Sequence, residues 1–209
     1  MKGGEYGGKP GRWTFHRVLR VFVVVAPVLA LVFSGLARPL LTMLYGEDFA
    51  AAASMLSILA WSVAVNWLYA PVAIALQARG LERWWMAGLS VACVANVALN
   101  WLAIPRWGGE GAAMASLLCE VGLLIAGMWV LQRQWNIAPS IYTSLACGTA
   151  TLCSAGVLTV LRPWGDLSAT IGAVAFYAGL TLLLRIATTE DISKLLGRFR
   201  DSVHGHARA

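Results

Sequence analysis

Charged residues are scarce in this sequence: only 12% of its 209 positions are Asp, Glu, Lys or Arg, whereas 59% are hydrophobic. A soluble domain has about 25% charged and roughly 45–50% apolar residues. The chain therefore has too little charge to cover a water-facing surface of its size. This shortage argues against a soluble enzyme, a nucleic-acid-binding domain and a disordered chain. A mean hydropathy of +0.69 indicates an integral membrane protein instead.

The residues and motifs of common enzyme chemistry are also missing. The three histidines, His16, His204 and His206, all lie in the terminal segments. The four cysteines fall within apolar runs without the spacing of a metal site, so buried free thiols are expected. No H-E-x-x-H, G-x-S-x-G or P-loop pattern occurs in the sequence. The sequence therefore predicts no catalytic activity, no cofactor and no metal site.

Long apolar runs fill most of the chain, and each crossing of a bilayer needs ~20 such residues. We predict an all-α polytopic membrane protein with a bundle of about six transmembrane helices at 17–186. A flexible basic tail at 1–16 precedes the bundle, and a cytoplasmic tail at 187–209 with a short amphipathic helix follows it. The predicted spans are 21–44, kinked near Pro27; 50–77, containing Pro71; 84–104, ended by Pro105; 111–131; 140–161, between Pro139 and Pro163; and 167–184.

Lys and Arg concentrate in alternate segments between these spans. With the N-terminus on the cytoplasmic side, the cytoplasmic segments hold thirteen of the 16 basic residues, and the opposite side keeps Arg38, Arg106 and Arg162. Those cytoplasmic segments are 1–20, 78–83, 132–139 and 185–209. The excess of positive charge predicts that both termini face the cytoplasm, which requires an even number of spans.

Glu120 is the one charged residue that lies deep within a predicted span. A carboxylate at the centre of a membrane helix costs ~2.5–3.5 kcal/mol on insertion scales, so its side chain should face protein or water. It shares a helix face with the small residues Ala113, Ser116 and Gly127, which suits close packing against a neighbouring helix. Glu120 is either a proton- or cation-coupling group or a carboxyl hydrogen-bonded between helices.

Other spans carry polar side chains at helical spacing. The second span has Asn66 and Gln77, and the third has Asn96 and Asn100. Further hydroxyl and thiol stripes occur on the third, fifth and sixth spans: Ser90, Cys93, Ser140, Ser144, Cys147, Thr151, Ser154, Thr170, Tyr177 and Thr181. Such stripes can line a shared hydrated cavity, or they can hydrogen-bond neighbouring helices together. Arg38, at the outer end of the first span, is either an interfacial anchor or an anion-binding group.

Two stretches of sequence carry a family resemblance. One is Leu-Tyr-Gly-Glu-Asp-Phe-Ala at 44–50, around Gly46. The other has the form N-x-x-x-N-x-x-x-I-P-x-x-G-x-x-G-A-A-x-A-S, starting at Asn96 and containing Pro105, Gly108 and Gly111. By its composition this second stretch is a helix hairpin: the proline should end one helix, the glycines permit a tight turn, and the alanines allow close packing. Together the stretches resemble the C-terminal half of bacterial polysaccharide flippases, the O-antigen and teichoic-acid exporters of the MATE-like MOP superfamily.

This resemblance implies half of a MATE-like transporter fold in the bacterial inner membrane. It also implies a role in lipopolysaccharide or related polysaccharide biosynthesis, namely moving an undecaprenyl-pyrophosphate-linked oligosaccharide between leaflets. The partners implied are that lipid-linked oligosaccharide, membrane lipids, and a missing N-terminal helical bundle or a second chain. No nucleic acid is expected. Glu120, Asn66, Gln77, Asn96, Asn100 and Arg38 are the candidate cavity or ion-coupling residues. The alternatives are half of a MATE-type exporter of small cations and a non-transporting scaffold subunit of a polysaccharide-assembly complex.

Overall fold

The computed structural model describes residues 9–135 and 141–183, and within them the chain is helical with no β-strand. Six α-helical elements follow one another: α1 (Lys9–Gly35), α2 (Ala37–Tyr45), α3 (Ala53–Ala78), α4 (Glu82–Trp135), α5 (Ile141–Leu161) and α6 (Asp166–Leu183). Short 3-10 helices at Glu47–Ala52 and Arg162–Trp164 precede α3 and α6. The predicted tail at 187–209 with its amphipathic helix, the first eight residues of the N-terminal tail, and Pro139 lie outside the described residues.

Four segments of the described chain are long and apolar enough to cross a membrane. They are Val18–Gly35, Glu47–Ala78, Glu82–Gln134 and Asp166–Leu183. The all-α class and the membrane character expected from composition are therefore confirmed at this level. The count of about six crossings stays a prediction.

The longest of these segments, α4, is bent back on itself. Its 54 residues would reach roughly 81 Å as a straight helix, far more than the ~30 Å of a hydrocarbon core. Gly108, at φ 54° and ψ −135°, interrupts it, giving limbs α4a (82–107) and α4b (109–135). A Cβ built on Gly111 would lie 2.6 Å from the carbonyl oxygen of Ala103. The two limbs therefore fold against each other directly after the turn.

This turn corrects the predicted end of the third span. Pro105 does not end the helix, because α4a continues through it to Trp107 and breaks at Gly108. A proline removes one N–H from the helix and crowds the preceding turn, which is tolerable this close to the helix end. The Leu102 carbonyl of this last turn also accepts a hydrogen bond of 2.8 Å from the Arg106 guanidinium.

The first span also differs from its predicted extent of 21–44. The helix passes through Pro27 and ends at Gly35, and Leu36 leaves helical geometry at ψ 7° before α2 begins. Pro39 has no N–H to donate back to the last turn of α1, so a continuous helix would lose a backbone hydrogen bond there. At its other end α1 starts at Lys9, so residues 9–16 belong to a helix rather than to the expected flexible tail.

The helices pack in alternating directions. Phe22 of α1 lies against Trp67 of α3, and Ser34 hydrogen-bonds Ser57, so α1 and α3 are antiparallel. On the other side of α1, Gly35 approaches Thr170 of α6. The Tyr177 hydroxyl of α6 donates to the carbonyl of Val23 at 3.3 Å, which makes α1 and α6 antiparallel as well.

In contrast, α3 and α4b run in the same direction. A Cβ on Gly109 would overlap the side chain of Met55, and one on Gly127 would lie 2.8 Å from Val72 and 3.2 Å from Tyr69. The Gly109–Met55 and Gly127–Val72 contacts join residues 54 and 55 positions apart, as expected for parallel neighbours joined by the intervening limb α4a. This parallel packing brings the middle of α3 beside the middle of α4b.

Two ends of the bundle follow from these directions. Phe15 and Leu81 pack on the same buried cluster around Leu76, so the start of α1 and the α3–α4 turn share one end. Gly108 and Arg162 lie at the opposite end, where Arg162 reaches the end of α1. Segments expected on opposite sides of the membrane thus lie at opposite ends of the bundle.

Candidate functional site

The parallel packing of α3 and α4b joins two polar residues that the sequence places in different spans. The Asn66 side-chain amide donates a hydrogen bond to Oε2 of Glu120 over 3.0 Å. Glu120 lies eleven residues after the start of α4b, a rise of roughly 16 Å along the helix. That rise is about half of the ~30 Å thickness of a hydrocarbon core. We call these two residues the midspan polar pair.

One side of the midspan polar pair is packed tightly. Tyr69, one turn after Asn66, is buried, interacts electrostatically with Glu120, and stacks on Trp85 of α4a with ring centroids 5.1 Å apart. Gly127 gives Tyr69 the space it needs, because a side chain there would collide with Val72 and approach the Tyr69 ring. The aromatic stack and the glycine therefore fix the separation of α3, α4a and α4b beside the pair.

The other side of the pair is open. Asn66 is exposed on the bundle surface, and Glu120 is half-buried. Among the described residues no further hydrogen-bond partner is found for Glu120, so its Oε1 stays available. The arrangement is a carboxylate held by one oxygen, with the second oxygen able to accept a proton, a cation or a hydroxyl hydrogen bond.

Asn96 and Asn100 form a separate, local arrangement. The Asn100 amide donates to Oδ1 of Asn96 over 2.8 Å along one helix face. The Oδ1 atom of Asn100 is buried and finds no partner within the part of the chain that the structure describes. Both side chains are half-buried. Their observed hydrogen bond lies within α4a rather than across helices.

The remaining two candidate residues stand apart from the pair. Gln77 is exposed at the last turn of α3, eleven residues after Asn66 and on the same face of the helix. Arg38 is exposed in α2, at the opposite end of the bundle. No contact joins either side chain to Glu120. The structure therefore brings together Asn66 and Glu120 and leaves Gln77 and Arg38 at the two ends.

The hydroxyl stripes of the third, fifth and sixth spans mostly bond to their own helices. Ser90, Ser154, Thr170 and Thr181 each donate to the carbonyl four residues earlier, at 2.6–3.0 Å. This back-bonding satisfies a hydroxyl without a neighbouring helix or water. In these four side chains the hydroxyl hydrogen is used within the helix, whereas the Tyr177 hydroxyl donates to the backbone of another helix.

Two grooves on the described surface are apolar rather than polar. A groove of about 480 Å³ lies between α4a, α4b and the second half of α3, and one of about 280 Å³ lies between α1 and α3. Neither is lined by Asn66 or Glu120. The midspan polar pair therefore lies outside both of these apolar grooves.

The glycines of the resembling stretches have distinct roles. Gly46 (φ 93°) ends α2, where its N–H bonds to the Thr42 carbonyl at 3.0 Å, and Gly108 (φ 54°) makes the turn in α4. Gly111 has no positive φ; it is needed for the close approach to Ala103. Pro105 stays within α4a.

Sequence reasoning missed a polar junction at the C-terminal end of α1. The Ser34 hydroxyl donates to the Ser57 carbonyl at 3.1 Å, and the Ser57 hydroxyl is shared between the Ala53 carbonyl of its own helix at 2.8 Å and the Ser34 carbonyl at 3.2 Å. The Arg162 guanidinium donates to the same Ser34 carbonyl at 3.3 Å, which links the end of α5 to α1 and α3. No motif marks this junction, because its residues are distant in sequence and contact backbone atoms.

Comparison of the whole chain with protein-family models, with curated proteins and with solved structures finds no match in any of the three.

Proposed function

We propose that the chain is a membrane transport module, the C-terminal bundle of a flippase that moves an undecaprenyl-pyrophosphate-linked oligosaccharide for polysaccharide biosynthesis. The observation that carries the proposal is the contact between Asn66 and Glu120 across two parallel helices. It is supported by the sequence stretches around Gly46 and Gly108, which resemble that family. The proposed location is the bacterial inner membrane, with six crossings and both termini in the cytoplasm.

The exposure of the midspan polar pair argues that something other than lipid covers it. A carboxylate near the centre of the bilayer is costly when it faces hydrocarbon. Asn66 satisfies one oxygen of Glu120 and leaves Oε1 open. A second helical bundle with a hydrated cavity between the two would remove this cost. Transporters built from paired repeats bind their substrates at such an interface near the midplane.

The chemistry available at this position suits a sugar. Moving an oligosaccharide through hydrocarbon is prevented by the loss of its hydrogen bonds to water. Glu120 Oε1 can accept hydrogen bonds from sugar hydroxyls, while Asn66 holds the carboxylate in place through Oε2. In an alternating-access cycle, protonation or cation binding at Oε1 competes with the sugar for the same atom. Such competition would couple transport to an ion.

Half of a MATE-type cation exporter is the second candidate, because the open Oε1 also suits a small cation. Glu120 is, however, the only acidic residue deep within the described spans, and a drug cation is served better by several counterions. A non-transporting scaffold would need the pair only as a packing contact with another subunit.

Surface display of the polysaccharide tests the proposal when the variants are made in the full-length protein in its host. We expect Glu120→Gln to abolish or strongly reduce export, since the amide loses the negative charge and one acceptor. Asn66→Ala should reduce export less, because Glu120 loses its support and not its charge. Glu110→Gln is the matched control, because Glu110 is an exposed carboxylate on the same helical limb near the turn. If Glu120→Gln and Asn66→Ala both export normally, the transport role of the pair is wrong.

A further inference from the structure

A buried tyrosine of α6 compensates for a proline in the middle of α1. The helix passes through Pro27, and a proline has no N–H to donate to the carbonyl four residues earlier. That carbonyl belongs to Val23. The Tyr177 hydroxyl donates a hydrogen bond to this same carbonyl over 3.3 Å. A membrane helix tolerates a proline when a neighbouring helix satisfies the backbone group that the proline frees, and Tyr177 supplies such a donor.

Tyr177 holds α1 on both sides of the proline. Its side chain is fully buried, in a cluster that contains Leu31 of α1, and Val28 packs on the same cluster. Leu31 lies four residues after Pro27, whereas Val23 lies four residues before it. The tyrosine ring is therefore packed among residues that follow the proline, and its hydroxyl is bonded to the backbone that precedes it.

The two halves of α1 pack on different neighbours. Before the proline, Phe15 packs on the buried cluster of α3 and α4, and Phe22 lies against Trp67 of α3. After the proline, Val28 and Leu31 join the cluster of α5 and α6. Within the described chain, α5 and α6 pack on each other and on α1, without comparable packing on α4. The Tyr177 hydroxyl thus joins α6 to the half of α1 that packs on α3 and α4.

The other end of α1 is fastened to α5 and α6 by separate contacts. Gly35 approaches the Thr170 side chain so closely that a Cβ there would overlap it. The Arg162 guanidinium donates to the Ser34 carbonyl at 3.3 Å. Gly35 lies twelve residues after Val23, a distance of roughly 18 Å along the helix. These contacts would therefore remain if the first half of α1 parted from α6.

The backbone of α1 is easiest to bend at the proline. Bending a helix lengthens or breaks its backbone hydrogen bonds, and at Pro27 one of them is already absent. The bond from Tyr177 that replaces it is 3.3 Å long, which exceeds the ~2.7–2.8 Å that is usual for a hydroxyl donor. A small displacement of α6 would break so long a bond. The site combines a point of low bending resistance with one weak side-chain contact across it.

We propose that α1 bends at Pro27 as a hinge and that Tyr177 is the latch that keeps this hinge closed. While its hydroxyl holds Val23, the first half of α1 stays against α6. When the bond opens, that half tilts away from α6 with the helices on which it packs. The hinge and the latch rest on these contacts alone. Their use rests on the proposed function: the gap would open at the predicted cytoplasmic end, where alternating access requires an opening.

Thermodynamic rescue of one variant by another tests the latch in the full chain, unfolded in bicelles. Tyr177→Phe keeps the ring and removes the hydroxyl, so it should raise the unfolding equilibrium constant about threefold, the size of an average hydrogen bond between membrane helices. Pro27→Ala restores an N–H for Val23, so Tyr177→Phe should have no measurable effect in that background. Pro71→Ala is the matched control, because Pro71 is the buried proline of α3, and the threefold effect should persist there. Equal effects in the two proline backgrounds would overturn the latch.

Distances between spin labels test the hinge. Labels replace the exposed Val18 of α1 and Leu183 of α6. Val18 lies nine residues before Pro27, roughly 13 Å along the helix, so a kink of about 20° would move it by roughly 5 Å. Tyr177→Phe should shift part of the distance distribution outward by this amount, and adding Pro27→Ala should reverse the shift.

The control pair has labels at Val18 and at the exposed Gln77 of α3. Its distances should stay unchanged, because the first half of α1 packs on α3. An unchanged distribution for Val18 and Leu183 in Tyr177→Phe, or equal shifts in both pairs, would overturn the hinge.

Failure of the hinge and failure of the proposed function give different results. Absence of rescue by Pro27→Ala overturns the latch and leaves the flippase proposal intact, because export by Glu120→Gln tests that proposal by itself. Rescue together with normal export by Glu120→Gln overturns the flippase proposal and leaves the latch. Tyr177→Phe that moves the labels and exports normally overturns the use of the hinge in transport.

Discussion

The coupling energy between Asn66 and Glu120 is the sharpest physical test of the midspan polar pair. Their hydrogen bond is 3.0 Å long and joins an amide to a carboxylate. Hydrogen bonds to charged groups contribute ~1.5–3 kcal/mol in soluble proteins. Measured interhelical values in membranes average ~0.6 kcal/mol and reach ~1.7, because the unfolded chain also finds partners there. A coupling of about 1–1.5 kcal/mol is therefore expected.

The two single variants should differ in sign. Asn66→Ala leaves the Glu120 carboxylate without its partner and should lower the free energy of unfolding. Glu120→Ala removes a group that costs ~2.5–3.5 kcal/mol at the bilayer centre, so in the chain alone it should be neutral or stabilising. Unfolding in bicelles by steric trapping, measured on both single variants, the double variant and the unaltered chain, gives the coupling.

The control is the same cycle with Glu110 in place of Glu120, because Glu110 is exposed and makes no contact with Asn66. That cycle should be additive within ~0.5 kcal/mol, as for independent sites. If the Asn66–Glu120 cycle is equally additive, the contact contributes nothing to stability. A strongly destabilising Glu120→Ala would refute the inference that the carboxylate is poorly covered in the isolated chain.

Three further outcomes are expected. Gly111→Ala should destabilise the α4 hairpin by ~1–3 kcal/mol, as for overpacking, because the added Cβ would lie 2.6 Å from a backbone carbonyl oxygen. Gly122→Ala, where an added Cβ meets nothing within 4 Å, should instead stabilise the chain by roughly 0.5–1 kcal/mol. Equal free energies of unfolding for the two variants would contradict the packing argument. Arg162→Ala should cost about 1–2 kcal/mol through loss of a charge-assisted hydrogen bond, measured by thermal unfolding in detergent, and an unchanged midpoint would show the contact to be dispensable. Cysteines introduced at Glu110 and Glu82 should react with an impermeant maleimide from opposite faces of the membrane, Glu110 from the periplasm; labelling of both from one face would refute the hairpin.

Composition and spacing predict the helical class and the hairpin well, because these depend on local rules. Apolar runs long enough for a bilayer must satisfy their backbone internally, which in a run of this length favours helix. The stretch around Gly108 predicts a turn, since glycine is the residue that reaches its positive φ at little cost. Proline restricts the residue before it and crowds the turn behind it, so a helix end at Pro105 was expected, whereas the helix breaks at Gly108. Whether a helix continues for two residues past a proline depends on its contacts with the rest of the bundle.

The helix break after Gly35 was not predicted from the sequence, for a different physical reason. Hydropathy continues into α2, so a single long span is the natural prediction for 21–44. The structure instead places α2 at the end of the bundle, with Met43 87% and Tyr45 63% exposed. Apolar side chains on a short helix at this level fit the headgroup boundary as well as the hydrocarbon core. A hydropathy window cannot separate the two cases, because both bury the same residue types in lipid.

The sequence identifies the residues of the candidate site but not which of them contact each other. Glu120 stands out in sequence because it is an acidic residue deep within an apolar run, and Asn66 because it belongs to a polar stripe. Their contact depends on α3 and α4b being parallel with an offset of 54 residues, which follows from the hairpin and from the close approach at Gly127. Helical periodicity gives the face on which a residue lies and carries no information about the helix it meets. The hydroxyl stripes have the same regular spacing, but the side chains of Ser154 and Thr170 donate hydrogen bonds within their own helices.

Polar and apolar surfaces are separated on this bundle. The carboxylate of Glu120 is held through one oxygen by Asn66, whereas the larger groove between α4a, α4b and α3 is lined mainly by apolar side chains. A lipid-linked sugar has the same division, with a charged phosphate between a hydrocarbon chain and a polar head. A protein that moves it must keep the chain in an apolar environment while the head passes through a hydrated one. Because Tyr69 lies both beside Glu120 and on the floor of the groove, a shift of α3 against α4 would move the two surfaces together. Under the proposed flippase function, substitution of Tyr69 should therefore disturb both surfaces at once, whereas Glu120→Gln should alter the midspan polar pair alone.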